Sequence, residues 1–200
     1  VYLVGLTGGI AAGKTAVAAR WVELGAIEID ADVLARDAVA VGTEGLTKVA
    51  ETFGPAMILP DGSLDRAALA AVVFTDPKKR EQLEAIVHPR VRRLADEQLS
   101  RLDADSIVVY TVPLLVEADV TLPFDKVVTV EAPEQVRIER LIETRGLTEA
   151  QARARIKNQA SPAERANRAD VILNSNQSLQ LLLKDAETLW KQIVREASEK

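Results

Sequence analysis

Apolar residues along this chain switch between two spacings. Val1 to Leu6 is a continuous hydrophobic run, the pattern of a strand whose two faces are both covered. From about Lys14 to Leu24 the period becomes helical. Val17, Trp21 and Leu24 fall at i, i+4 and i+7 as the expected buried stripe, and Gly25 is placed to stop the helix. Ala26 to Ile29 predicts a short second strand ending at Asp30-Ala31-Asp32, with another helix to about Val39. Ile107 to Val112 and Lys126 to Val130 read as two more strands. The first ends at Pro113; the second is followed by Pro133 at a helix start, where its missing N–H does no harm. A strand near Val171 to Leu173 precedes a C-terminal helix with Leu179, Leu182, Leu183, Ala186, Leu189, Trp190 and Ile193 on its inner face. Strands alternating with helices predict an α/β fold, a mainly parallel sheet with helices on both faces.

The stretch from Gly42 to Leu102 breaks that rhythm. It reads as helices around one Gly/Pro-rich corner, Gly54-Pro55 and Asp61-Gly62, and is expected to form a helical insertion beside the sheet. Asp76 before Pro77 is a helix start, and Pro89 is expected to kink or end that helix near His88. The chain has 200 residues, enough for one domain with a modest insertion. It has no cysteine, which excludes disulfides and thiolate zinc sites and suits a reducing cytoplasm. A net charge of −5 argues against a general nucleic-acid binder. No apolar run approaches the ~20 residues of a membrane span. The apolar opening lacks a basic leader and runs straight into Gly13-Lys14-Thr15, so it reads as a buried strand and not as a signal segment.

The segment Gly8-Gly9-Ile10-Ala11-Ala12-Gly13-Lys14-Thr15 matches the G-x-x-x-x-G-K-[ST] phosphate loop. Backbone N–H groups must converge on phosphate oxygens there, and the helix that follows points its positive end at the same anion. A buried strand before the loop and an amphipathic helix after it supply the required context. The ATP-binding positions are Gly9, Ile10, Ala11, Ala12, Gly13, Lys14, Thr15 and Ala16. Lys14 reaches the β and γ phosphates, and the Thr15 hydroxyl is the expected Mg²⁺ ligand. No guanine-reading N/T-K-x-D motif is present, and Ile107 to Val112 lacks the terminal acid usual in ATPase motors. Both absences favour a small-molecule kinase over a GTPase switch or a motor.

Asp30 and Asp32 stand where the second strand ends, the edge at which parallel sheets gather their ligands. An alcohol acceptor profits from a carboxylate that orients its O–H and takes the proton. Asp32, read as the first residue of the next helix, is the better placed, and Asp30 fits a metal-water partner or a helix cap equally well. From Arg137 to Arg168 the balance of charge turns basic, with Arg137, Arg140, Arg145, Arg153, Arg155, Lys157, Arg165 and Arg168. Arg137 and Arg140 share a helix face by i, i+3 spacing. Gly146 and the capping pair Thr148 and Gln151 predict the tip of a helical hairpin. Such an arm can close over a phosphoryl group in flight, although arginines on exposed helix faces also pair with nearby glutamates. Arg140 is the favoured functional residue among them and Arg153 the least favoured.

Taken together, the motifs resemble the dephospho-CoA kinase family over nearly the whole chain. The resemblance rests on Gly5-Leu6-Thr7-Gly8-Gly9-Ile10 leading into Gly13-Lys14, and on Ile29-Asp30-Ala31-Asp32 followed by Ala35-Arg36. It extends to His88-Pro89, Val112-Pro113-Leu114-Leu115-Val116-Glu117, Arg155-Ile156-x-x-Gln159 and Ala169-Asp170-Val171-Ile172-x-Asn174. It implies phosphorylation of the ribose 3′-hydroxyl of dephospho-CoA by ATP and Mg²⁺, the last step of coenzyme A synthesis. No nucleic acid, membrane or protein partner is implied, and the expected compartment is the cytoplasm. The implied architecture is a P-loop core over 1–41, 104–136 and 160–200, a helical substrate domain over 42–103 and a lid over 137–159. Asp32 would be the general base, with Lys14 and Arg140 the transition-state cations. Thr7, Asp32, Arg36, His88, Pro113, Leu114 and Glu117 would lie near the acceptor.

One departure stands out. The family loop usually reads Gly-x-Gly where this chain has Ala11-Ala12-Gly13, and Thr15 stands where serine is common. Alanine serves provided φ stays negative, so binding is expected to survive with a slightly altered loop. Spacing alone also admits another alcohol kinase, for shikimate or a nucleoside, or a nucleotide sensor without turnover. His88, the only histidine, is on the residues alone a structural group, and the two tryptophans read as core.

Overall fold

The structure, a computed structural model, describes residues 1–112, 115 and 122–200. The strands are β1 (Tyr2–Gly8), β2 (Ile27–Asp30), β3 (Ile107–Thr111), β4 (Lys126–Glu131) and β5 (Val171–Asn174). The first helices are α1 (Lys14–Glu23), α2 (Ala31–Asp37), α3 (Glu44–Phe53), α4 (Arg66–Thr75) and α5 (Pro77–Leu99). After β4 come α6 (Glu134–Arg145), α7 (Glu149–Lys157), α8 (Pro162–Arg168) and α9 (Leu179–Ser198). The chain divides into two compact units, Val1–Asp30 with Leu102–Lys200, and Ala31–Arg101.

In the first unit all five strands run parallel in the order β2-β3-β1-β4-β5. Every residue of β1 is buried, as the central place of that strand requires. Tyr2, Val4 and Leu6 alternate onto one face of the sheet, where they join Val109, Val128, Val130 and Leu173 beneath α1 and α9. Trp21 and Trp190 meet there at 6.1 Å, and Trp21 Nε1 donates to the Ala186 carbonyl at 2.8 Å, so the indole is buried without an orphaned donor. Both tryptophans are core, as expected. Three of the expected stripe residues are not. Leu24 has passed the last turn of α1 and is 37% exposed, and Leu179, the first residue of α9, is 59% exposed. Leu183 is half-buried.

The second unit contains α2 to α5 and a short 3₁₀ turn at Pro55–Met57. Its core is Val39, Leu46, Val49, Met57, Leu64, Leu69 and Ile86. Gly54, at φ 98°, closes α3, and the chain turns at Asp61-Gly62 to pair Ile58 with Leu64. Asp76 caps α5, accepting from the N–H groups of Lys78 and Lys79. Pro89 does not end the helix, which runs unbroken to Leu99. The missing N–H costs one bond in a 23-residue helix that packs against α2, α3 and α4, and neighbouring Arg90 donates from Nη1 to the Ile86 carbonyl at 2.7 Å. No helix among the described residues is long and apolar enough to cross a membrane.

Candidate active site

The phosphate loop joins the C-terminal edge of β1 to α1, where the context of the motif placed it. Gly13, at φ 107°, makes the turn into the helix, and its carbonyl accepts from the N–H groups of Ala16 and Val17. Lys14 is half-buried and the Thr15 side chain is exposed. Ala11 contradicts the expectation of negative φ, since it takes φ 60°. Tertiary packing explains the strained torsion. Ile10 and Ala11 sit against Ile138, Leu141, Ala152 and Ile156, the apolar seam between α6 and α7, and Gln159 Oε1 accepts from the Ile10 N–H at 2.8 Å.

The helical hairpin is therefore built onto the loop. Gly146, at φ 61°, ends α6, and the Thr148–Gln151 capping box starts α7, as predicted. Arg140 reaches from α6 to the loop and beyond it. Its Nη1 donates to the carbonyls of Ala11 at 3.2 Å and Ala12 at 3.4 Å and to Ser175 Oγ at 2.8 Å. Its Nη2 donates to the Ser175 carbonyl at 2.7 Å. Arg140 thus ties together α6, the loop and the start of the β5–α9 connection. Arg153 pairs with Glu149 and Glu134 on exposed helix faces, which is the ordinary role anticipated for it.

Two residues that the spacing left without a role stand beside Gly9. Arg165 is 1% exposed and forms a two-pronged pair with Glu131 at the end of β4, through Nε at 2.5 Å and Nη2 at 2.8 Å. Arg137 is 3% exposed, and its Nε and Nη1 have no hydrogen-bond partner among the described residues. A methyl group on Gly9 would come within 2.2 Å of Arg137 Nη1 and 3.1 Å of Arg165 Nη2, so glycine is what lets both guanidinium groups approach the loop. Burial, and then the neighbouring Arg165 charge, push the Arg137 pKa below its ordinary value. Arg137 also lines a cavity of about 690 Å³ with Glu131, Pro133, Gln159, Asn174 and Asn176. The i, i+3 spacing of Arg137 and Arg140 was the available signal; which of the two would lack partners was invisible.

The other expected residues divide between the two units. The Thr7 hydroxyl on β1 is buried, with no hydrogen-bond partner among the described residues. Asp32, Arg36 and His88 belong to the second unit, where α2 packs against α5 and all three positions are exposed. Asp32 is the second residue of α2, since Ala31 already opens the helix. Pro113, Leu114 and Glu117 lie outside the described residues.

A family model for dephospho-CoA kinase matches residues 2–180. The chain belongs to the dephospho-CoA kinase family. A dephospho-CoA kinase of Streptomyces avermitilis is 44% identical over 194 residues, which cover 97% of this chain and 95% of that protein. One of Mycolicibacterium paratuberculosis is 46% identical over 94% of this chain, which spans only 46% of that longer relative. Among solved structures, TT1252 from Thermus thermophilus superposes with a TM-score of 0.82 at 34% identity, covering 96% of this chain and 97% of its own. The dephospho-CoA kinase from Campylobacter jejuni gives 0.67 at 23% identity over 96% of both chains, a likeness of fold. Family membership bears out the α/β P-loop kinase architecture read from the motifs.

Proposed function

We propose that this chain transfers the γ-phosphoryl group of ATP to the ribose 3′-hydroxyl of dephospho-CoA, giving coenzyme A and ADP. The family match over residues 2–180 carries the choice of acceptor. The phosphate loop flanked by arginines supports the transfer itself.

In this reading the acceptor oxygen forms its bond to the γ-phosphorus as the bond to the β–γ bridging oxygen breaks. The hydroxyl proton passes to Asp32, and ADP leaves. Asp32 is assigned this role on its place in the chain, two residues beyond the end of β2, where a carboxylate can orient an acceptor alcohol. Lys14 and Arg140 stabilise the charge spread over the phosphoryl oxygens. Arg140 also steadies the loop through the Ala11 and Ala12 carbonyls. The loop backbone from Gly9 to Ala16 cradles ATP. Thr7, Arg36, His88, Pro113, Leu114 and Glu117 are assigned to the acceptor side.

Mg²⁺ fits the donor set. Thr15 offers an exposed hydroxyl oxygen on the first turn of α1, and magnesium takes hard oxygens while keeping several waters and phosphate ligands. When bound, it would neutralise charge on the β and γ phosphates. The hairpin of α6 and α7 serves as the lid, the 31–101 unit as the acceptor-binding part, and the cytoplasm as the place of work. The two substrates are small molecules, and the reaction needs no nucleic acid, membrane or protein partner.

The test is ATP-dependent phosphorylation of dephospho-CoA, shikimate, several nucleosides and AMP, with products identified by mass. Selective conversion of dephospho-CoA is expected. Asp32→Asn should lower kcat by at least about 100-fold and leave ATP affinity nearly unchanged. Turnover of a different alcohol would discard the acceptor, and an active Asp32→Asn variant would discard the base.

A further inference from the structure

Around Gly9 the buried charges do not balance. Two guanidinium groups, Arg137 and Arg165, share one bound carboxylate, Glu131, and Arg165 takes both of its oxygens. Glu131 Oε1 additionally accepts from Thr129 Oγ1 at 2.8 Å. Arg137 is left 3% exposed with Nε and Nη1 unsatisfied among the described residues. A buried cation without a partner costs several kcal/mol unless an anion completes the site. The unpaired Nη1 lies against the first variable residue of the phosphate loop, and Arg137 borders the 690 Å³ cavity. A polyphosphate is the anion that a phosphate loop receives, and a planar guanidinium is well matched to its oxygens.

We propose that Arg137 binds the ATP polyphosphate directly and is the nucleotide-sensing cation of this site. Glu131 stations Arg165 beside it, and Arg137 Nε and Nη1, buried and without a partner among the described residues, are left for the ligand. The division of labour with Arg140 follows from partners. Arg140 donates from Nη1 and Nη2 to the Ala11, Ala12 and Ser175 oxygens, so it shapes the loop as well as adding charge to the site. The inference rests on the kinase reading only for the identity of the nucleotide and is indifferent to the acceptor.

The test compares the wild-type chain with Arg137→Met and Arg137→Lys. ADP, ATP, inorganic pyrophosphate and adenosine are titrated by calorimetry, and unliganded melting temperatures are recorded alongside. Arg137→Met removes a buried charge whose Nε and Nη1 lack hydrogen-bond partners among the described residues, so the unliganded protein should melt at or above the wild-type temperature. Affinity for ADP, ATP and pyrophosphate should fall by about 10- to 100-fold, while adenosine, which carries no phosphate, binds as before. Arg137→Lys should recover part of the loss. In turnover the KM for ATP should rise and that for dephospho-CoA stay put.

A folded Arg137→Met variant that binds ADP within about 2-fold of wild type would overturn the inference. So would a lower unliganded melting temperature with unchanged ligand affinity, which marks a structural residue. Should Arg137→Met fail to fold, ¹⁵N-arginine NMR decides. The wild-type Arg137 Nε–H signal, assigned through Arg137→Lys, must shift with ADP and not with adenosine, and a static signal refutes the contact. Failure of the acceptor assignment is separately visible as wild-type protein that binds ATP but leaves dephospho-CoA untouched.

Discussion

Ala11 carries a left-handed backbone at φ 60° while its methyl group packs into the seam of α6 and α7. Such a torsion costs a non-glycine residue roughly 1–2 kcal/mol. Glycine would remove that strain but forfeit the methyl contact and carry more chain entropy into the unfolded state. The opposing effects are similar in size, so Ala11→Gly should leave stability within about 1 kcal/mol of wild type. Ala11→Val adds a β-branch where φ is positive and should cost about 2 kcal/mol or more and weaken ATP binding. Urea unfolding and calorimetry check both, and a valine variant as stable as wild type would remove strain from the account of this loop. The G-x-x-x-x-G-K-T pattern made the loop between β1 and α1 legible in the sequence. It could not reveal the handedness of Ala11, because that torsion is set by residues near 138–156, far along the chain. Arg137 was hidden for the same reason. Its spacing announced a helix face, but the lack of partners depends on Arg165 having already claimed Glu131.

Helices reported themselves through their ends. Asp76, Gly146 and the Thr148–Gln151 box are local chemistry, read directly from neighbouring residues. Pro89 does not end its helix, because that local rule was outweighed by packing along a long helix. Gly45 near the start of α3 shows how tightly such packing is drawn. A Cβ there would stand 1.9 Å from the Ala38 carbonyl oxygen, a backbone atom that cannot swing away. Gly45→Ala should therefore destabilise the protein by about 3 kcal/mol, and a measured loss below about 1 kcal/mol would mean that α3 can slide. At the other end of the chain, α9 is fastened to the sheet by Glu196. Its carboxylate accepts from Tyr2 Oη at 2.7 Å, Lys126 Nζ at 3.1 Å and Gln192 Nε2 at 2.9 Å. Those donors lower its pKa from 4.5 to about 2, the Tyr2 hydrogen bond contributing most. A depressed carboxylate stabilises the fold above its unfolded pKa and loses that contribution as pH falls toward the folded one. Glu196→Gln should thus be less stable than wild type at pH 7, with the gap narrowing between pH 4.5 and about 2 in thermal melts. A gap that stays constant over that window would show that the ionised carboxylate contributes nothing special.

For the whole molecule, the alternation of strand and helix was enough to specify a parallel α/β sheet. It was not enough to order the strands, because β1 pairs with β3 and β4 through partners more than a hundred residues away. Nor did it locate where the second unit begins. The break in rhythm at Gly42 suggested a boundary there, but the unit starts at Ala31 because α2 packs on α5, a contact that no local pattern encodes. That boundary has consequences, since Asp32, Arg36 and His88 then fall in 31–101 while the phosphate loop, Lys14, Arg137 and Arg140 fall in the other unit. Leu69 is 5% exposed within a cluster confined to 31–101. Leu69→Ala should cost about 2–5 kcal/mol there. If each unit opens on its own, hydrogen exchange should quicken across 31–101 and stay slow in β1, β3 and β4. ADP affinity should hold, while turnover of dephospho-CoA falls, because the proposed base and acceptor side chains sit on the loosened unit. Loss of protection in both units together, with ADP affinity falling in step, would instead mean one cooperative fold, and the assignment of nucleotide and acceptor to separate units would have to be withdrawn.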